Sequence, residues 1–214
     1  SRMTFLANRA HLHYVVDIDI KGFFDNVNHG KLLKQMWSLG IQDKSLLTII
    51  SKMLKAEIEG IGIPQKGTPQ GGILSPLLSN IVLNELDWWI SNQWETFEPT
   101  HKYTSYNKFS ALKSTKLKQM YIVRYADDFK LMCRDYETAQ KALIAVKNWL
   151  KERLDLDISP EKSKVINIRK NYSNFLGFKL KVIKKGRKKV IKSNINDKSN
   201  KESYQCNIRK NQGA

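Results

Sequence analysis

The stretch Tyr125-Ala126-Asp127-Asp128 constrains the fold more than any other, because it sets two adjacent carboxylates between two hydrophobic runs. Those runs predict two short strands with the acidic pair at the turn between them. Adjacent carboxylates repel each other and are costly to bury unless cations neutralise them. The hairpin tip is therefore a candidate site for hard divalent cations. An ordinary Asp-Asp turn without a metal is the alternative interpretation of this stretch alone.

A second acidic strand strengthens the metal interpretation. Along residues 14–20, apolar side chains occupy one face, and Asp17 and Asp19 occupy the other. A solvated strand face is the alternative for either aspartate taken alone. If this strand lies beside the hairpin, an aspartate from each would share the same cations. That is the layout of a two-metal phosphoryl-transfer site.

Four motifs in chain order carry a resemblance to a known family: Asp19-Ile20-Lys21-Gly22-Phe23-Phe24-Asp25, Gly67-Thr68-Pro69-Gln70-Gly71, Tyr125-Ala126-Asp127-Asp128 and Phe175-Leu176-Gly177-Phe178. Together they resemble the ordered motifs of reverse transcriptases and are most similar to the bacterial group II intron-encoded reverse transcriptase/maturase proteins. The resemblance covers residues 1–192, which we expect to be a fingers-palm region with truncated N-terminal fingers. Residues 193–214 are expected to be a basic polar tail or the start of a missing thumb.

The resemblance implies an α+β fold, the right-hand polymerase palm with partial fingers. In it, an antiparallel sheet carries the acids on an open face, and helices pack on the other face. Helix starts are predicted at Asn28, Asp43 and Asp135, whose side chains are good helix caps. A strand over residues 175–180 is predicted to pair with residues 188–191 in a hairpin.

The resemblance further implies that Asp19, Asp127 and Asp128 are the catalytic carboxylates. Asp19 and Asp127 would bind two Mg²⁺ ions, with the Ile20 carbonyl oxygen as a further ligand and Asp128 as the weaker one. Mn²⁺ is expected to substitute for Mg²⁺. The strand alone leaves open whether Asp17 or Asp19 is the ligand. The family pattern selects Asp19, because an aromatic residue follows it at the position of the steric gate.

Nucleotide and primer contacts are also implied by the resemblance. Phe24 would exclude a 2′-hydroxyl, with a core position as its alternative, and Gln70 would lie over the incoming nucleotide or the template base pair. Lys162 best matches a lysine thought to assist the leaving pyrophosphate, and Lys164 is the runner-up. The template and primer strands are expected to contact Gly71, Tyr125, Ala126, Phe175 and Gly177.

The chain is strongly basic, with 37 Lys+Arg against 20 Asp+Glu and a formal net charge of +17. Most of the excess lies in residues 161–214, which hold 16 Lys/Arg and 3 Asp/Glu. Such a charge predicts a polyanionic partner, nucleic acid first. Residues 98–120 interleave lysines with aromatic side chains and predict a surface excursion that is either solvated or in contact with nucleic acid. With the resemblance, the expected partners are an RNA template with a DNA primer, deoxynucleoside triphosphates and group II intron RNA, and no membrane.

The two cysteines, Cys133 and Cys206, predict neither a disulfide framework nor a zinc site. Cys133 lies in an apolar strand and is expected to be a buried thiol in a cytoplasmic protein. No signal peptide and no transmembrane run is found. The start at Ser1-Arg2-Met3-Thr4 predicts a truncated piece, and surfaces left exposed by truncation would favour self-association into a homodimer.

The favoured function is an RNA-directed DNA polymerase of a group II intron-encoded protein that also binds intron RNA as a splicing maturase. An RNA-binding maturase scaffold with an unused polymerase site is an alternative from a different class. Retron, phage-defence and diversity-generating reverse transcriptases are alternatives within the family. A nucleotide cyclase is another palm enzyme, but Phe24 and the loop Gly67–Gly71 favour polymerisation over it.

Overall fold

The computed structural model describes residues 2–58, 60, 62–68, 72–186 and 188–195. Its helices are α1 (Arg2–Arg9), α2 (Phe23–Asn26), α3 (His29–Ser38), α4 (Lys44–Leu54), α5 (Ser75–Asn92), α6 (Ser105–Lys113) and α7 (Tyr136–Trp149), which a π-helical turn (Leu150–Leu154) extends. Its strands are β1 (Tyr14–Ile18), β2 (Met120–Tyr125), β3 (Asp128–Cys133), β4 (Lys164–Asn167), β5 (Ser173–Phe175), β6 (Phe178–Lys185) and β7 (Lys188–Ile195).

The predicted acidic strand and the predicted acidic hairpin are neighbours in one sheet. This sheet is four-stranded and antiparallel, with the order β2-β3-β1-β4. Val16 of β1 lies opposite Leu131 of β3, and the hairpin of β2 and β3 closes at the pair Tyr125 and Asp128. Apolar side chains lie on both faces of these strands, since neighbouring residues such as Val15 and Val16 are both buried.

Helices cover one face of this sheet. Val16 and Ile18 of β1 pack with Leu131 of β3 in a core that the helices complete. Its helical members include Leu32 of α3, Leu54 of α4, Leu83 and Leu86 of α5, and Val146 of α7. Full burial of such a side chain contributes roughly 1.5–3 kcal/mol. The predicted α+β palm, an antiparallel sheet with helices on one face, is confirmed.

The opposite face of the sheet is covered at one end, whereas an open face was predicted. Val15 and Met132 on that face pack against Leu6 of α1 and Leu180 of a second sheet. The second sheet has three antiparallel strands in the order β5-β6-β7. The cover is needed because this face is apolar at the Val15 end. The acidic end is accessible, and Tyr125 there is 67 % exposed.

A buried histidine ties α1 to the segment that leads into the second sheet. Nδ1 of His13 accepts a hydrogen bond from Nε of Arg169 at 2.6 Å, and Nε2 donates to the carbonyl oxygen of Ala7 at 3.1 Å. Burial, and next the Arg169 charge, lower the pKa of His13 to about 4. The ring is therefore neutral at neutral pH and acts as a structural link.

The predicted helix starts are confirmed. Asn28, Asp43 and Asp135 each accept a hydrogen bond from a backbone N–H in the first turn of α3, α4 and α7. Helix α6 was not predicted, because residues 98–120 are mostly polar, but Leu112 on it is 2 % exposed. Within the described ranges, no helix combines the length and the apolar character needed to cross a membrane.

The prediction of one strand over residues 175–180 is wrong. A turn at Leu176 and Gly177, with φ of 50° and 78°, separates β5 from β6. Leucine disfavours positive φ, so the turn could not be inferred from residue type. The predicted pairing of β6 with β7 is present, and β7 continues to Ile195. Residues 196–214, part of the predicted tail, lie outside the described residues.

Candidate active site

The strand register brings the predicted aspartates to one end of the central sheet. Ile18 and Phe129 form the last pair of β1 with β3. Beyond this pair, at the same end of the sheet, the next two residues are Asp19, which comes after Ile18, and Asp128, which comes before Phe129. Their backbones lie side by side, since neighbouring strands are about 5 Å apart. Asp127 lies in the turn next to Asp128. Two segments distant in sequence therefore meet through their acidic residues.

Both strand carboxylates lie on the same face of the sheet. Side chains alternate along a strand, so Asp19 shares the face of Asp17, and Asp128 shares the face of Lys130. Asp17 and Lys130 meet on that face, with 2.8 Å between Oδ1 and Nζ. Asp19 and Asp128 therefore lie on the side of the sheet opposite the core formed with α3, α4, α5 and α7, where their oxygens can approach a common cation.

Asp17 is engaged by other groups, which bears on the choice between Asp17 and Asp19. Its Oδ1 forms the ion pair with Lys130 and accepts a hydrogen bond from the Ser173 hydroxyl at 3.1 Å. The Asp17 side chain is 15 % exposed, compared with 46 % for Asp19. Asp19 is thus the accessible member of the acidic strand. Asp17 joins the central sheet to β5.

Asp128 is partly desolvated and lies among charges of both signs. Burial raises the pKa of Asp128 above its ordinary value, and the charges of Asp17 and Asp127 act in the same direction. Lys130 and a hydrogen bond from the Leu176 backbone oppose this rise without cancelling it. A divalent cation would stabilise the ionised carboxylates, because it would relieve their mutual repulsion.

The turn between β5 and β6 lies against the acidic hairpin. The Leu176 backbone donates to Asp128, and Nζ of Lys130 lies 5.6 Å from the centroid of the Phe175 ring. Gly177 follows in the same turn with a φ of 78°. The predicted primer-contacting residues Phe175 and Gly177 are therefore beside the acids.

Lys162 also lies at the acidic end. Its Nζ is 3.5 Å from Oδ2 of Asp19, and the Lys162 side chain is 66 % exposed. The Ser163 hydroxyl accepts a hydrogen bond from the Asp19 backbone N–H at 3.2 Å, which holds this segment next to β1. Lys164 lies on β4 opposite Asp17. The structure thus puts Lys162, the better match by sequence, against the predicted metal ligand.

The two aromatic residues after β1 differ in burial. Phe23 is 3 % exposed and belongs to the helix-side core, whereas Phe24 is partly buried at its margin. Their ring centroids are 5.3 Å apart in an edge-to-face contact. The Phe24 carbonyl accepts a hydrogen bond from the Thr68 backbone at 2.7 Å. The glycine loop is therefore anchored on Phe24, while Gln70 and Gly71 lie outside the described residues.

We expect Gly67→Ala to destabilise the chain by about 1–3 kcal/mol, because a positive φ and a steric clash both disfavour a side chain at this position. Gly67 has a φ of 97°, and an added Cβ would lie 3.1 Å from the carbonyl oxygens of Phe24 and Asp25. Gly40→Ala is the matched control, since Gly40 has a φ of 94° with nothing within 4 Å of an added Cβ. Urea denaturation should show the larger loss at Gly67, and equal losses would contradict the close approach.

The acidic end offers ligands that suit a hard divalent cation. Asp19, Asp127 and Asp128 supply carboxylate oxygens, which Mg²⁺ and Mn²⁺ prefer. Ile20 pairs with Ile158 through a backbone bridge beside them. Over the described residues, no three His, Cys, Asp or Glu side chains already form a metal-binding cluster. The three carboxylates are therefore chemically suitable ligands for such ions. Their oxygens would have to come closer together to bind a common ion.

Sequence reasoning missed two charged residues that support the site. Lys130 forms the buried ion pair with Asp17, and Arg124 donates hydrogen bonds to Asp87 and to the carbonyl oxygen of Ala126. Both residues interrupt apolar strands next to the acidic turn, which is the signal that would have indicated them. A charged residue inside such a strand is buried only when it is paired.

Cys133 is buried, as predicted. Burial, together with the Asp135 charge, raises the pKa of its thiol to about 12. The thiol therefore stays protonated at neutral pH, which makes it unreactive.

The fold is a palm-type antiparallel sheet with carboxylates at one end, and comparison with known proteins gives the family. A family model described as reverse transcriptase (RNA-dependent DNA polymerase) matches residues 2–180. The chain belongs to the reverse transcriptase family.

Two relatives extend this assignment. Group II intron-encoded protein LtrA of Lactococcus lactis subsp. cremoris is 29 % identical over 215 residues, covering 81 % of this chain and 36 % of LtrA. Protein YkfC of Escherichia coli (strain K12) is 28 % identical over 179 residues, covering 78 % of this chain and 46 % of YkfC. The chain spans less than half the length of these relatives. The resemblance to group II intron-encoded reverse transcriptases is confirmed.

A solved structure supports the fold. Apo telomerase from Candida tropicalis, truncated from its C-terminal domain, superposes with a TM-score of 0.54 at 16 % identity. The match covers 84 % of this chain and 36 % of the telomerase chain. At this identity, the likeness concerns the fold alone.

Proposed function

We propose that the chain carries the polymerase site of an RNA-directed DNA polymerase, which adds deoxynucleotides to a primer 3′-hydroxyl on an RNA template. The meeting of Asp19 with the Asp127–Asp128 turn, at the accessible end of the sheet, carries this proposal. Residues 1–192 would form the fingers-palm region, and residues 193–214 would be a tail or the start of a thumb.

Asp19 and Asp127 would hold two Mg²⁺ ions, with the Ile20 carbonyl as a further ligand and Asp128 beside them. Bound there, the ions would activate the 3′-hydroxyl and neutralise charge on the phosphates. The protein supplies strands that fix the carboxylates, because β1 and β3 are paired and buried on their helix side.

Lys162 would meet the triphosphate of the incoming nucleotide. Its 3.5 Å approach to Asp19 supports this role, since the ammonium group lies beside a proposed metal ligand. Once cations neutralise Asp19, the Lys162 ammonium would interact with the leaving pyrophosphate, as an exposed and flexible side chain can. Lys164 remains the runner-up for this role.

Phe24 would be the steric gate against ribonucleotides. Its ring is held against Phe23, and its backbone is held by Thr68, so its position is fixed. A fixed ring under the sugar would collide with a 2′-hydroxyl, whereas a deoxyribose would fit. Gln70 would lie over the nucleotide on the loop that Phe24 anchors.

We expect Phe24→Val to reduce the preference for deoxynucleotides over ribonucleotides by about 10- to 100-fold, a range typical of steric selection in a pocket. Primer extension with each nucleotide class gives the two values of kcat/KM. Phe5→Val is the control, since Phe5 is exposed on α1 and undergoes the same substitution. Unchanged sugar selectivity in Phe24→Val would refute the gate assignment.

The primer and template would lie across the turns at the acidic end. Tyr125 and Ala126 form the tip of one turn, and Phe175 and Gly177 belong to the other. Gly71 would contact the template strand from the glycine loop. Exposure of Tyr125 supports this assignment, since a large apolar ring at 67 % exposure is available for stacking.

The ribbon of β6 and β7 would bind the phosphate backbone of the nucleic acid. Its register sets lysines directly opposite one another: Lys181 and Lys192, and Lys184 and Lys189. Like charges in such pairs are destabilising, so a polyanion would relieve their repulsion. Nζ of Lys181 also lies 5.1 Å from the centroid of the Tyr172 ring.

We expect the double variant Lys181→Gln/Lys192→Gln to flatten the salt dependence of primer–template binding. The slope of log K against log salt should fall in magnitude by about 2, because two phosphate contacts are lost. Lys52→Gln/Lys55→Gln, which removes the same charge from the exposed end of α4, is the control. Equal slopes in the two double variants would contradict a role for the ribbon.

The direct test of the proposed function is primer extension. The chain is incubated with an RNA template, a DNA primer, deoxynucleoside triphosphates and Mg²⁺, and extension is compared with a reaction containing EDTA. Template-directed, metal-dependent extension is expected, with Mn²⁺ also active. A chain that binds the primer–template and never extends it would refute the proposal and favour the scaffold alternative.

Binding of group II intron RNA as a maturase is the second candidate function. The family relationship with LtrA, whose name is that of an intron-encoded protein, and the lysine pairs of the ribbon favour it. Filter binding should show tighter binding of a group II intron RNA than of an unrelated structured RNA of equal length. Equal affinities for the two RNAs would support only general RNA binding, without a preference for the intron.

A further inference from the structure

Arg124 connects the acidic turn to helix α5. Nε of Arg124 donates to Oδ1 and Oδ2 of Asp87 at 2.9 Å and 3.0 Å, and Nη2 forms a further bond with the same carboxylate. Nη1 donates to Oδ1 of Asn80 at 2.8 Å and to the carbonyl oxygen of Ala126 at 2.9 Å. The Arg124 side chain is 12 % exposed. One guanidinium group thus joins two residues of α5 to the tip of the turn.

Arg124 acts from the helix side of the sheet. Ile122, two residues earlier on β2, belongs to the helix-side core, and alternation gives Arg124 the same face. Asp128 lies on the other face with Lys130. Arg124 is therefore separated from the predicted metal positions by the sheet itself, and its influence on them must pass through the backbone of the turn.

The conformation of the turn needs such support. Ala126 has a φ of 53°, in a region that residues with a Cβ disfavour. Backbone strain of this kind persists only when the surroundings fix it. The hydrogen bond from Arg124 to the Ala126 carbonyl supplies one fixed contact, and the Asp87 carboxylate holds the guanidinium group in place.

We propose that Arg124 is a positioning residue for the metal-binding turn, an inference that rests on the proposed function. By fixing the Ala126 carbonyl, it sets the position of the Asp127 and Asp128 carboxylates. It also fixes the turn relative to α5, the helix that follows the glycine loop. The proposed metal-binding turn is thereby held to one helix.

The contacts require an arginine. The planar guanidinium group offers five N–H donors in a fixed geometry, and it uses them here toward a carboxylate, an amide and a carbonyl at once. A lysine at this position has one ammonium group and cannot reach all three. Arg124→Lys therefore keeps the charge and loses the geometry, which separates positioning from electrostatics.

The test compares Arg124→Lys with Glu95→Gln. Glu95 pairs with Arg2 at 2.6 Å in the same groove beside α5, without a contact to the turn. Mn²⁺ affinity is measured by electron paramagnetic resonance without nucleic acid, and kcat by primer extension. Arg124→Lys should weaken Mn²⁺ binding and lower kcat by about 10- to 100-fold, the range for residues that orient metal ligands. Glu95→Gln should match the wild type in both.

The outcomes separate positioning from a merely structural role. A lower melting temperature in Arg124→Lys, with Mn²⁺ affinity and kcat within twofold of Glu95→Gln, would overturn the proposal. If Arg124→Lys does not fold, Asn80→Ala decides, because it removes one Arg124 contact and leaves Asp87 in place. Weaker Mn²⁺ binding in Asn80→Ala supports the proposal, and unchanged binding overturns it.

Failure of the proposed function would be visible separately. A wild-type chain that binds Mn²⁺ but does not extend a primer would refute the polymerase assignment, while the Mn²⁺ affinities would still decide the role of Arg124. A wild-type chain that binds no Mn²⁺ would refute both.

Discussion

Replacing Asp127 with asparagine should reduce primer extension on an RNA template by a factor on the order of 10³ or more, while primer–template affinity stays within about twofold. The amide keeps the shape of the side chain and loses the charge that would hold a divalent cation. Binding should survive because the proposed phosphate contacts come from the ribbon of β6 and β7. The measurements are single-turnover extension with Mg²⁺ and filter binding of the same primer–template.

Glu161→Gln is the control for the loss of Asp127. Glu161 is an exposed acid next to Lys162, and its replacement changes the local charge by the same amount. We expect near wild-type extension from Glu161→Gln. Extension by Asp127→Asn at a similar level would remove Asp127 from the metal site.

Replacing Lys130 with methionine should lower the free energy of unfolding by about 3–5 kcal/mol, the largest stability effect we expect. Lys130 is 4 % exposed, and its ammonium group is 2.8 Å from Asp17. Without Lys130, Asp17 would remain a buried carboxylate whose described side-chain partner is the Ser173 hydroxyl. Urea denaturation of the single variants and of the double variant Asp17→Asn/Lys130→Met measures the effect.

The double variant should recover part of the loss, because it removes the unpaired charge as well. Lys141→Met is the matched control. Lys141 pairs with Glu137 on the surface of α7, where both side chains are more than half exposed, so its loss should hardly change stability. A Lys130→Met loss as small as that of Lys141→Met would contradict a structural role for the buried pair.

Much of the local structure could be predicted from the sequence. Asn28, Asp43 and Asp135 are capping residues before apolar periodic segments, and each begins a helix. The acidic hairpin was predictable because hydrophobic runs flank Asp127 and Asp128 on both sides. These features depend on residues close in the chain, so local rules suffice for them.

Features that depend on distant segments could not be read from local patterns. The strand pattern alone left Asp17 and Asp19 open, and the resemblance selected Asp19; the pairing with Lys130 and the hydrogen bond from Ser173 show in the structure that Asp17 is the more buried aspartate. The turn at Leu176 carries a positive φ on a residue that disfavours it. Arg124 gains its role from contacts to α5. Tertiary contacts determine all of these, although the position of Arg124 inside an apolar strand was a local signal for a buried, paired charge.

The central claim is that Asp19 and Asp127 bind the same pair of cations. A crystal structure of the chain with primer–template, an incoming nucleotide and Mn²⁺ tests it most directly through anomalous scattering. We expect two anomalous peaks within bonding distance of oxygens from both carboxylates. Peaks that contact only one of the two aspartates, or that lie away from this end of the sheet, would contradict the account.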